Sequence, residues 1–177
     1  MRLKLTAVFA AALLAIASCA GTGDQKPDIE LPTVELDRFM GDWFVIANIP
    51  TRMERGAHNA VETYRLADDG SIETTFSFRD GDFEGEAKRY SFRGYVRDEA
   101  TNAEWGMELF WPIALDYRIA YVDENYTETI IARERRDFVW IMSRTPELPE
   151  SRYAALLERV ASLGYDVGDV ERVPQRW

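Results

Sequence analysis

Few side chains in this chain have both the type and the spacing that catalysis or metal binding needs. His58 is the only histidine. It falls in the loop before the second expected strand, where a surface imidazole is more often idle than catalytic. Cys19 is the only cysteine, so no disulfide can form within the chain and no His/Cys cluster exists for a transition metal. Asp68-Asp69-Gly70 and Asp80-Gly81-Asp82 lack the spaced ligands of a calcium loop and read as hairpin turns. A nucleophile elbow and a Gly-rich phosphate cradle are both missing. These side chains thus offer little for covalent or metal chemistry. No cofactor is expected, and no enzymatic activity.

The elements that must build any site follow an export signal. Arg2 and Lys4 precede a nearly all-apolar run from Leu5 to Ser18, too short for a comfortable membrane span and flanked as a secretory signal peptide is. It ends in Ile16-Ala17-Ser18-Cys19. Two small residues before a cysteine match a lipobox, with cleavage before Cys19 and lipid on its sulfur. The alternative is an ordinary cleaved signal followed by a free thiol. Ala20, standing where aspartate would signal retention in the enterobacterial pattern, implies sorting to the outer membrane. The expected location is thus the cell outer membrane, lipid-anchored and periplasm-facing. Three segments result: the signal peptide (1–18), a lipidated start and flexible tether (19–33), and one folded domain (34–177). The net charge of −10 includes the two basic residues of the signal, whose removal makes it −12. So acidic a surface argues against nucleic acid or anionic headgroups as partners; a homodimer stays open.

From Phe39 to Arg144 short β-prone runs alternate with turn residues. The expected strands are Trp43–Ile49, Ala60–Leu66, Ser71–Arg79, Phe83–Val96, Ala103–Trp111, Asp116–Asp123, Glu128–Arg133 and Phe138–Arg144. In the fifth, Ala103, Trp105, Met107, Leu109 and Trp111 alternate with Glu104, Gly106 and Glu108, which is strand periodicity with one apolar face. Eight strands joined by short turns predict an all-β fold, an up-and-down antiparallel barrel that leaves no edge exposed; a two-sheet sandwich competes. Tyr153, Leu156, Leu157, Val160 and Leu163 recur at helical spacing between Pro149 and Gly164, so one C-terminal α-helix should pack outside the barrel. Tyr165 to Trp177 reads as a short extended tail.

Three pieces in this order resemble the lipocalin family, in its bacterial outer-membrane lipoprotein and apolipoprotein D branch. They are Gly41-Asp42-Trp43 opening the first strand, Asp116-Tyr117 in the sixth, and Arg144 closing the eighth within Trp140-Ile141-Met142-Ser143-Arg144. Leu115 departs from the threonine that many members carry. The resemblance covers roughly Val34 to Gln175. It implies an eight-stranded barrel in which Gly41, Trp43, Asp116, Tyr117 and Arg144 are structural. Trp43 and Arg144 should meet at the closed end, the guanidinium on the indole face and bonded to backbone carbonyls. Strand parity then turns Val45, Ala47 and Ile49 inward on strand one and Phe138, Trp140 and Met142 on strand eight. Strand five contributes Trp105, Met107 and Leu109, and strand three Ile72, Thr74, Phe76 and Phe78. Tyr64 is inward by analogy with the family, and Glu62, two residues away, shares its parity. A carboxylate there must be paired, hydrated or protonated; Arg118, Tyr117 and Tyr121 are its candidate partners. The resemblance implies a carrier holding a fatty acid or lysophospholipid-like ligand inside the barrel, tethered to the membrane through Cys19, in cell-envelope maintenance. Two rivals are a lipid-modifying enzyme using Glu62 and a filled barrel with a structural role.

Overall fold

The computed structural model describes residues 28–110 and 113–177, with backbone alone at 109, 110 and 113. The expected signal peptide, Cys19 and the tether as far as residue 27 lie outside the described residues, as do Trp111 and Pro112. One turn of helix, α1 (Leu36–Phe39), leads into β1 (Gly41–Ile49). There follow β2 (Ala57–Leu66), β3 (Ile72–Asp80), β4 (Glu86–Val96), β5 (Glu104–Phe110), β6 (Ile113–Val122), β7 (Glu128–Ala132) and β8 (Val139–Ser143). Each strand pairs antiparallel with the next, and β1 pairs with both β8 and β2, which closes the sheet. The fold is therefore the expected eight-stranded barrel, not a sandwich. His58 lies within β2, not before it, edge-on to Phe83 with ring centroids 4.8 Å apart.

Two apolar clusters divide the core between the two faces of the sheet. The inner one holds Phe39, Trp43, Tyr64, Phe76, Trp105, Tyr117, Trp140 and Met142 among others. The outer one lies under α2 (Glu150–Ser162), whose Tyr153, Leu156 and Val160 pack on Ile130, Ile141 and Val139. Those three positions fall on one face at i, i+3 and i+7. Pro149 caps the start of the helix. Gly164 follows its end in the left-handed region, φ +89°, where only glycine is unstrained.

Two expectations need correction. Ala47, expected inward, belongs to the outer cluster, and Ile49 packs there too. The cause is a bulge in β1 between Val45 and Ala47, which shifts the register against β8 and reverses the parity beyond it. Asn48 then stands opposite inward Trp140 and is buried. The second concerns the tether, which ends sooner than residue 33. Ile29 is buried in the outer cluster with Leu31 beside it, since these are the apolar side chains of that stretch.

The C-terminal tail is structured. After a 3₁₀ turn (Val167–Asp169), β9 (Glu171–Arg172) pairs with β1 at Ala47 and Asn48. β1 contacts β2 only from Gly41 to Phe44, and the tail fills the gap beyond. Val173 N–H donates to Ile46 O at 2.9 Å, and Asn59 N–H donates to Pro174 O at 2.8 Å. Gln175 Nε2 spans the seam, donating to Val45 O (2.8 Å) and Ala60 O (3.1 Å).

Candidate functional site

The closed end is built by α1 and the two motif residues at the ends of β1 and β8. The Arg144 guanidinium lies 3.8 Å above the Trp43 ring. It donates to the carbonyls of Asp42 (2.7 Å), Arg38 (2.9 Å), Phe39 (3.0 Å), Met40 (2.8 Å) and Tyr126 (3.2 Å). Trp43 Nε1 donates to Phe39 O at 2.8 Å. Gly41, at φ +95°, passes so close that an added Cβ would meet Arg144 Nη1 at 3.3 Å. The end is closed by hydrogen bonds and by the guanidinium on the indole face, as the motif implied.

Above this floor the barrel holds a cavity of about 300 Å³. The volume sits at the small end for a ligand site, enough for one slender molecule. Phe76, Phe92, Met107, Leu115, Phe138 and Trp140 supply the apolar wall. The loop joining β1 to β2 borders the mouth, with Thr51, Arg52, Met53 and Glu54 facing the cavity. Glu54 is turned in and buried. It accepts from Trp140 Nε1 (2.8 Å) and from its own loop's Thr51 N–H (2.7 Å). The other side of the mouth carries Asp116 and Arg133. Asp116 Oδ1 accepts from Arg133 Nε and Nη2 at 3.3 Å, and its Oδ2 accepts from Glu134 N–H at 2.6 Å. Asp116 thus pins the turn after β7, a structural task.

Glu62 is buried at the cavity floor, opposite Trp43 in the β1–β2 register. Its Oε2, Tyr64 Oη and Tyr117 Oη form one hydrogen-bonded cluster, with Tyr64 Oη within reach of both of the others and Tyr117 Oη 3.2 Å from Oε2. Of the three candidate partners only Tyr117 engages it. Arg118 points outward to Glu134, Asp116 and Glu104, and Tyr121 joins the outer cluster. Burial, reinforced by the nearby Glu54 charge and opposed by the Tyr117 hydrogen bond, raises the Glu62 carboxyl to about 8. Burial and the Glu62 charge hold the Tyr117 phenol well above its ordinary value.

Of the expected ligand-binding residues, the structure brings Glu62, Phe76, Met107 and Trp140 to the cavity wall. Val45, Tyr64, Phe78, Trp105 and Met142 are inward and buried but pack in the surrounding core. Ala47 is on the opposite face, and the side chain of Leu109 lies outside the described residues. Tyr117, read as a structural residue, also lines the cavity. Sequence reasoning missed Glu54, Arg133, Phe92 and Leu115; the last shares its strand's parity with Tyr117 and could have been found that way. Among the described residues, no group of His, Cys, Asp or Glu is arranged to hold a metal. Nor is any helix there long and apolar enough to cross a membrane.

Comparison with known proteins agrees with this geometry. A family model described as a lipocalin-like domain matches residues 34–175. The chain is 31% identical to Temperature-induced lipocalin-1 of Arabidopsis thaliana, over 85% of each chain. It is 27% identical to Outer membrane lipoprotein Blc of Escherichia coli K12, over 93% of this chain and 92% of that one. Among solved structures, insecticyanin from the tobacco hornworm superposes with a TM-score of 0.64 at 16% identity, over 84% of this chain and 85% of that one.

Proposed function

The chain belongs to the lipocalin family, and we propose that it binds a lipid-like amphiphile in its barrel and stores or carries it within the cell envelope. The observation that carries this reading is the apolar cavity, open at its mouth, above a hydrogen-bonded floor. A barrel filled by its own side chains, the structural alternative, offers no such space. Each methylene buried there gains roughly 0.8 kcal/mol before ordering costs, so a single acyl chain supplies useful affinity. Fatty acids and lysophospholipid-like molecules are the ligand classes of that shape. Similarity to an outer membrane lipoprotein, together with the lipobox at Cys19, supports a lipid-anchored, periplasm-facing envelope protein. The anchor would hold the barrel near the membrane that supplies its ligand.

The reading is of binding: among the described residues the polar groups beside Glu62 are Glu54, Tyr64 and Tyr117, which suit the holding of a polar end. Native mass spectrometry tests the proposal. Protein purified from the cell envelope is measured as isolated, after delipidation, and after re-exposure to envelope lipid extract. A discrete bound species that leaves and returns is expected. Protein that stays bare throughout overturns the carrier reading.

A further inference from the structure

The cavity's polar groups are unevenly signed. Its floor carries the Glu62 carboxyl and its mouth loop the Glu54 carboxyl, both buried. Of the two guanidinium groups on its wall, Arg52 lies in the mouth loop, and Arg133 is already committed to Asp116 and Asp137. Tyr64 and Tyr117 both contact Oε2 of Glu62, and among the described residues no hydrogen bond to Oε1 is formed. An independent sign of vacancy is Thr74, which lines the same cavity. It is 3% exposed, and its Oγ1 has no hydrogen-bond partner. Thr74 faces Tyr64 across the β2–β3 pair while Glu62 faces Phe76, so the two lie diagonally on one inner face. A buried hydroxyl and a buried carboxyl oxygen, both short of a donor, describe a ligand by what they lack.

We propose that the cavity selects single-chain amphiphiles whose buried polar end is a hydrogen-bond donor, a primary ammonium above all and a hydroxyl next, over chains ending in a carboxylate. The inference rests on the carrier reading and narrows it. An ammonium brings three donors and a positive charge to a site holding two carboxyls, and donates to Glu62 Oε1 and Thr74 Oγ1. A hydroxyl satisfies the same acceptors without the charge. A carboxylate adds a third acid and no donor, so it must take up a proton or remain at the mouth near Arg52. The groups facing Glu62 from the surrounding elements are Tyr64 on β2, Tyr117 on β6 and Glu54 in the β1–β2 loop. None of them offers a cation that would favour the acid.

The test is calorimetric titration of the delipidated full-length protein at pH 9, where Glu62 is ionised and the amine still carries its proton, with dodecylamine, dodecanol and dodecanoate, each below its micellar concentration. At high salt, attraction of the amine to the acidic surface is screened. The expected order is amine, then alcohol, then acid, with the amine about tenfold or more tighter than the acid. Glu62→Gln and, independently, Thr74→Val should each narrow that gap. Glu84→Gln, which removes a carboxylate whose side chain is 89% exposed, should leave it intact. A dodecanoate affinity equal to or above that of the amine overturns the selectivity and leaves the carrier reading standing. So does a preference that survives both cavity variants. Failure of all three to bind removes the carrier reading itself.

Discussion

The two ends of the barrel treat buried polar groups in opposite ways. At the closed end one guanidinium serves five backbone carbonyls and an indole face, so positive charge and acceptors are matched within the protein. At the cavity, two carboxyls and an unpartnered threonine hydroxyl face a space that the protein itself does not fill. The first arrangement lowers the energy of the folded chain whatever is bound. The second raises it until something binds. Stability and recognition are thus assigned to different depths of one inner face, and residues read as one motif set, Trp43 with Tyr117, divide between them.

The closed end should be the more costly to disturb. Arg144→Ala strips five carbonyls of their donor and uncovers the Trp43 ring, and should lower unfolding free energy by about 4 kcal/mol in urea titration. A loss below about 1 kcal/mol would mean water replaces the guanidinium freely, erasing the contrast between the ends. Glu62→Gln should act in the reverse direction. The Glu62 carboxyl titrates near 8 in the folded protein against an ordinary value of 4.5, so the native state holds the proton more tightly than the unfolded chain. Its stability is then greatest below pH 4.5 and falls as pH rises through 8, where the buried group must ionise. Glu62→Gln should lose less stability than the parent between pH 5 and pH 9. The difference should be about 3 kcal/mol, less than the full shift converts to, since water entering at the mouth screens the charge. Parallel pH profiles for the two proteins would show that Glu62 ionises without cost.

This division was partly legible in the sequence. Trp43 and Arg144 could be paired from the sequence alone because their motif fixes two strand ends, and period-two alternation carried Phe76, Met107 and Trp140 to the inner face. Glu62 followed from the same parity. Ala47 did not, because Val45-Ile46-Ala47 is apolar throughout and carries no mark of the bulge that reverses it. Glu54 was hidden for a different reason: it sits in a loop, where no periodicity applies, and its burial depends on a tryptophan 86 residues away. The tail was hidden likewise, since Gln175 is an ordinary polar residue until β1 and β2 part and leave it two carbonyls to bridge.

The mouth loop offers a smaller test of the same contrast. Trp140→Phe keeps the ring on the cavity wall but removes the Nε1–H that Glu54 accepts, leaving the Glu54 carboxylate bonded to Thr51 N–H of its own loop. Stability should fall by about 1.5 kcal/mol, and bound ligand should leave faster in a stopped-flow displacement. Unchanged dissociation with lowered stability would make the Trp140–Glu54 bond a brace of the wall and not a latch on the mouth.

The smallest effect should come from the seam, which belongs to neither end. Gln175→Ala removes two donors to Val45 and Ala60 but leaves the backbone bonds from Val173 to Ile46 and from Asn59 to Pro174. Val45 and Ala60 are buried, but Gln175 is half-buried, so water can enter where its amide stood and serve the freed carbonyls, and the loss should be about 1 kcal/mol. Its signature is local: amide hydrogen exchange at Val173 and Asn59 should quicken while protection at Trp43 and Met142 is kept. Exchange that quickens throughout the barrel would mean the tail is part of the cooperative closure, and that the β1–β2 contact from Gly41 to Phe44 cannot hold the cylinder shut by itself.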